Sequence, residues 1–159
     1  MSDPLRSDAT ADATGLTRRR LLATVGAGGA AALAGCSGGG AQTESGPYDG
    51  YLADAAGFDG EVVDRTGADE VTVAVGAGDG FGFDPAAVRV SPGTTIVWEW
   101  TGMGSRHNVA AEDGSFGSQY YASEGQTYSR EFTDAGVVKY YCDPHRNLGM
   151  VGVVEVVDE

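Results

Sequence analysis

The chain holds two histidines, His107 and His145, and two cysteines, Cys36 and Cys142. One of each meets in Cys142-Asp143-Pro144-His145-Arg146-Asn147-Leu148-Gly149-Met150, a Cys-x2-His-x4-Met arrangement, with His107 well upstream. Taken singly, each residue has an ordinary reading. Met150 would be core, His107 a surface or hydrogen-bonded side chain, and Cys142 a small buried apolar group. As a set they are two imidazoles, a thiolate and a weak thioether, the donors of blue-copper electron-transfer sites. Thiolate and imidazole suit both Cu(I) and Cu(II), so neither oxidation state is strongly penalised. Three strong donors near one plane serve both states, so little has to move when an electron does. The expected cofactor is one type 1 copper ion held by His107, Cys142, His145 and Met150.

The cysteine count bears on where this happens. Thr17-Arg18-Arg19-Arg20-Leu21-Leu22 reads as a twin-arginine export signature. The uncharged stretch 21–35 that follows is short and rich in Gly and Ala, whereas a membrane span needs about 20 mainly apolar residues. It ends in Leu33-Ala34-Gly35-Cys36, which reads as a lipobox, the signal for lipid attachment to cysteine. An arginine-flanked anchor helix with an incidental cysteine is the alternative. An exported cysteine pair would ordinarily suggest a disulfide. With Cys36 carrying lipid, Cys142 has no partner, and a lone thiol in an oxidising compartment must be buried or metal-bound. The expected organisation is an export signal with lipobox over 1–35, a lipidated cysteine and flexible linker over 36–47, and a copper domain over 48–159. That places the protein on the outer face of the cytoplasmic membrane, anchored there by lipid.

A rigid scaffold must bring these donors together, and past Tyr48 the texture is all-β. Short apolar runs at 70–75, 87–90, 94–100, 107–111, 127–132, 137–142 and 151–157 are separated by turn signals such as Ser91-Pro92-Gly93 and Asp134-Ala135-Gly136. Several alternate with period two: Ile96, Trp98 and Trp100 share one face, and Val138, Tyr140 and Cys142 another. About seven to eight strands in a domain of this size imply a β-sandwich. No helical period is sustained; 48–58 reads as one helical turn or a short lead-in. The glycine-dense Gly76-Ala77-Gly78-Asp79-Gly80-Phe81-Gly82 lacks phosphate-loop spacing and a following lysine, and reads as a flexible inter-strand loop.

Ten Lys and Arg stand against 23 Asp and Glu, for a net charge of −13. This excludes nucleic acid, whose phosphates need clustered cations. Acidic, lysine-poor and glycine-rich composition resembles that of proteins from salt-loving archaea. In about 1 M salt the Debye length is only about 3 Å, so the acidity speaks to solubility more than to a partner.

The stretches Phe83-Asp84-Pro85, Val97-Trp98-Glu99-Trp100, His107-Asn108-Val109, Lys139-Tyr140-Tyr141-Cys142-Asp143-Pro144-His145 and Gly149-Met150-Val151-Gly152 carry a resemblance over essentially the whole segment from Tyr48 to Val157. The segment resembles the halocyanins, haloarchaeal members of the plastocyanin-like cupredoxins. The resemblance implies a Greek-key β-sandwich with copper near one end and the four ligands named above. It also implies that Asn108 latches the two ligand segments together, with its side chain and amide near the Cys142 sulfur. Pro144 would withhold an N–H from that sulfur and stiffen the loop. The function implied is a one-electron carrier cycling Cu(II)/Cu(I), a monomer serving redox proteins of a respiratory chain at the membrane, with no substrate turnover. His145 is expected to show one ring edge, ringed by Met103, Pro144, Leu148 and Gly149. Tyr141, on the other side of its strand, is either a plain surface aromatic or a second route through the thiolate. Two other classes compete. A multicopper enzyme would need further histidines, and both are already used; copper storage or delivery would need exposed Met and Cys clusters, and Met1, Met103 and Met150 are the only methionines.

Overall fold

Alternation in the sequence becomes two faces in space. In the strand β5 (Thr94–Trp100), Thr94, Ile96, Trp98 and Trp100 are buried and Glu99 is exposed. The computed structural model describes residues 47–158. The export signal, Cys36 and the linker over 36–46 lie outside the described residues.

Among the described residues nine strands, numbered in chain order, form two mixed sheets. One sheet runs β1 (Val63–Asp64), β4 (Ala87–Val90), β9 (Val151–Val156), β8 (Gly136–Tyr141), β6 (Ala110–Ala111). The other runs β3 (Gly82–Asp84), β2 (Glu70–Ala77), β5, β7 (Thr127–Phe132). The pairs β1–β4, β4–β9 and β2–β5 are parallel and the rest antiparallel. Parallel neighbours cannot be joined by a hairpin, so the chain crosses repeatedly between the sheets in the Greek-key manner of a sandwich. Trp98 fills the middle, edge-on to Tyr140 at 5.3 Å between ring centroids and beside Phe116 at 5.5 Å. Cys142, Met150 and Trp100 belong to the same buried cluster, so the metal-ligating residues continue the core at one end of the sandwich.

Six expected strands are present. The seventh, 107–111, shrinks to Ala110–Ala111. Its first residues pair elsewhere: His107 and Tyr121 exchange both backbone bonds at 2.9 Å, and the Ser118 amide donates to the Val109 carbonyl at 2.8 Å. β1 and β3 are additional short strands.

Segment 48–58 is a lead-in that opens on a left-handed turn, with Tyr48 at φ 58° and Asp49 at φ 57°, and it does more than precede the fold. Leu52, 1% exposed, packs with Ala87, Val151 and Val153 on the outer face of β4 and β9, flanked by Tyr48, Tyr51, Ala55 and Phe58. That cover is why β9 is buried on both faces.

Candidate metal centre

Three of the four expected ligands sit on one short turn. Cys142 follows β8 and still donates its amide to the Met150 carbonyl at 3.0 Å. The 3₁₀ turn Asp143–Leu148 then folds back, with Pro144 in its first turn, where a missing N–H leaves no hydrogen bond unmade. Gly149 closes it at φ 83°, a left-handed conformation suited to glycine. The His145 amide donates to the Cys142 carbonyl at 3.1 Å and the Met150 amide to the His145 carbonyl at 3.2 Å. Cys142, His145 and Met150 are thus held by their own backbones, with Met150 fully buried.

His107 arrives from the other side. Its Nε2 lies 2.8 Å from the Met103 carbonyl oxygen, which can only accept, so Nε2 carries the proton and Nδ1 presents a lone pair inward. Space for this bond is made by Gly76 at a bulge in β2: a Cβ there would meet the Met103 oxygen at 2.8 Å and His107 Nε2 at 3.3 Å. Thr101 Oγ1 donates to the Gly76 carbonyl at 2.8 Å, fixing the loop that carries Met103.

The three strong donors converge. Cys142 Sγ is 3.6 Å from His107 Nδ1 and 3.5 Å from His145 Nδ1, and the two Nδ1 atoms are 3.0 Å apart. A triangle with those sides has its centre roughly 2 Å from every corner, the length of a transition metal's bond to imidazole. The residues present therefore fit a metal ion, and their softness fits copper.

Burial pushes the Cys142 thiol up, opposed by the backbone amides of Asn108 and His145, which lie against the sulfur. Burial also holds the His107 imidazole below its ordinary value, partly offset by its bond to the Met103 carbonyl. Both effects favour neutral groups in the absence of metal, and a bound cation would need Cys142 as the thiolate.

Asn108 bridges the two ligand segments through Asp143. Its Nδ2 donates to the Asp143 carboxylate at 2.6 Å and its Oδ1 accepts the Asp143 amide at 2.9 Å. The Tyr120 hydroxyl donates to the same carboxylate at 3.0 Å. Sequence reasoning passed over Asp143, Tyr120, Gly76 and the Met103 carbonyl. It also passed over Phe81, whose ring lies edge-on to His145 at 4.9 Å between centroids. The signal for two of these was the glycine-dense stretch, which is a close-packed connection between β2 and β3 that touches the site.

His107 is 1% exposed and His145 half-buried, beside Met103 and Leu148 at 52% and 59% exposed. Tyr141 is no plain surface aromatic. It packs against the lead-in cluster, and the Arg146 guanidinium lies over its ring at 4.3 Å.

A β-sandwich with two imidazoles, a buried thiolate and a methionine at one end defines a mononuclear type 1 copper protein, and bound copper supplies a one-electron Cu(II)/Cu(I) couple. The model of the copper-binding proteins of the plastocyanin/azurin family matches residues 69–157. The chain belongs to that family. It is similar to halocyanin of Natronomonas pharaonis, 46% identical over 159 residues, covering 89% of this chain and 98% of that protein. It is also similar to plastocyanin of Scenedesmus fuscus, 32% identical over 98 residues, covering 55% of this chain and 99% of that one. Among solved structures, a purple cupredoxin from Nitrosopumilus maritimus is similar, with TM-score 0.45 and 26% identity, covering 55% of this chain and 99% of the other.

Proposed function

We propose that this protein is a one-electron shuttle that passes electrons between redox proteins of a respiratory chain and turns over no substrate of its own. The observation that carries the reading is the donor triangle with a single half-exposed corner. His107 and Cys142 are buried while His145 reaches the surface. Held by a core on one side and a backbone-bonded turn on the other, the donors have little freedom to rearrange between oxidation states. A partner reaching the His145 edge would meet Met103, Pro144, Leu148 and Gly149, an apolar rim that salt does not screen. Both histidines of the chain stand at this one centre, so a second copper, as a multicopper enzyme requires, would find no imidazole. The buried donors also argue against copper delivery, which needs ligands a recipient can reach.

The lipobox at Cys36 and the twin-arginine motif support attachment to the outer face of the cytoplasmic membrane, with the linker over 36–47 as tether. Twelve residues reach roughly 40 Å when extended, enough for the domain to swing between partners. The test is spectroscopic. Cu(II) added to the copper-free protein in molar salt is expected to give an intense orange-red absorption band, lost with ascorbate and regained on oxidation without loss of metal. A pale solution with only weak bands would overturn the reading; metal passed on to copper-free proteins would favour delivery instead.

A further inference from the structure

The family match begins at residue 69, and the lead-in over 48–58 precedes it. Yet the lead-in touches the ligand turn. The Ala56 amide donates to the Gly149 carbonyl at 2.8 Å, and a Cβ on Gly149 would run into the Asp54 carbonyl oxygen. Gly149 is therefore pinned between His145 and Met150 by backbone from outside the family domain. The single Tyr51 O–H is shared between the Tyr140 carbonyl oxygen at 3.0 Å and the Glu112 carboxylate at 3.2 Å, and Glu112 pairs with Arg146. Leu52 seats the whole segment against Val151 and Val153. Two ligands of the turn thus have a direct lead-in contact within two residues of them, Tyr140 for Cys142 and Gly149 and Val151 for Met150, and His145 is reached through Glu112, which bridges Tyr51 to Arg146.

We propose that the lead-in is a positioning brace for the copper ligands, acting through Ala56 and Tyr51 to hold the turn from His145 to Met150 in its metal-binding shape. The proposal rests on the copper reading but makes a separate claim. Without the brace, the Gly149 carbonyl keeps only the bond from the Val151 amide at 2.9 Å, and the Met150 thioether is free to recede. A weaker axial donor favours Cu(I), so the potential rises.

The sharpest variant is Ala56→Pro. Ala56 is the second residue of a turn closed by the Phe58 amide on the Ala55 carbonyl at 3.2 Å, with Gly57 third at φ 82°. Proline is favoured at that position, so the change keeps the turn and removes the N–H aimed at Gly149. Leu52→Ala loosens the segment by a second route, and Val71→Ala, in β2, serves as a core control away from the turn. In the copper-free full chain, hydrogen exchange at the Gly149, Met150 and Val151 amides is expected to rise at least tenfold in Ala56→Pro, while His107 and Tyr121 stay as they were. In the copper-loaded chain, the Cu(I)/Cu(II) ratio at a fixed applied potential is expected to rise at least threefold in Ala56→Pro and Leu52→Ala, and not in Val71→Ala. Unchanged exchange, or faster exchange with an unchanged ratio, would overturn the brace. A wild-type chain with no thiolate-to-copper band would instead overturn the copper reading, while the exchange result still shows whether the lead-in holds the turn.

Discussion

Asn108 and Asp143 are joined by two hydrogen bonds running in opposite directions, 2.6 Å from the carboxamide nitrogen to the carboxylate and 2.9 Å from the Asp143 amide to the carboxamide oxygen. Each residue is the chain neighbour of a copper ligand, His107 or Cys142. The spacing between two ligand segments far apart in sequence is therefore set by a single carboxamide that is itself buried.

Replacing it should be costly. Asn108→Ala leaves the Asp143 amide without its acceptor and removes a charge-assisted bond, and an unsatisfied group of this kind costs about 1–3 kcal/mol. Urea unfolding of the copper-free protein should show a midpoint lowered accordingly. The copper-loaded variant should show a shifted visible spectrum. A midpoint equal to that of wild type would mean the latch carries no stability.

Cys142→Ser exchanges a thiolate for a hydroxyl of smaller size at a fully buried position. The intense visible band should vanish with copper present, while far-ultraviolet circular dichroism keeps its β-sheet signature. A variant that stays blue would remove Cys142 from the ligand set.

Met150→Leu nearly conserves volume, a change cores tolerate at less than about 1.5 kcal/mol. It withdraws the soft axial donor and leaves the three strong ones. Colour should persist and the reduction potential should rise, as voltammetry would record. A fall in potential would argue that Met150 is packing alone.

The lead-in should respond to alkali. Burial, and a hydrogen bond and like charge from Glu155, push the Tyr48 hydroxyl up to about 12, and burial and Glu112 push Tyr51 up further. Ionisation is thus harder folded than unfolded, where a phenol titrates near 10. The stability these groups contribute is whole below about pH 10 and is lost as pH climbs towards the folded values. Thermal midpoints should be flat up to about pH 10 and then fall. In Tyr48→Phe the fall should be smaller, and an equal fall would assign it to other groups.

The sequence made the sandwich and the ligands legible for different reasons. β5 could be read to the residue because its tryptophans and isoleucine alternate against a solvent-facing glutamate. The Cys142-to-Met150 turn was legible because its donors are rare residue types at a fixed spacing. The strand expected at 107–111 failed because its partner, around Gly117 to Tyr121, carries no strand pattern of its own, and the pairing consists of isolated bridges. The bond from His107 to the Met103 carbonyl was invisible because any residue type can supply a carbonyl. Gly76 and Phe81 hid inside a glycine-rich run whose composition says loop and cannot say what the loop touches. The lead-in was seen as a segment but not as a cover, since its apolar residues follow no single period.

One consequence follows from both imidazoles standing at the same centre. A histidine bound to metal cannot take up a proton, and histidine is the side chain that ordinarily titrates near neutrality. Free carboxyl groups change charge near pH 4, and free phenols and amines near pH 10. Loaded with copper, the protein should therefore keep a constant side-chain charge from about pH 5.5 to 7. Its mobility in an electric field, and its encounter rates with charged surfaces, should follow the salt of its surroundings and ignore their acidity over that range.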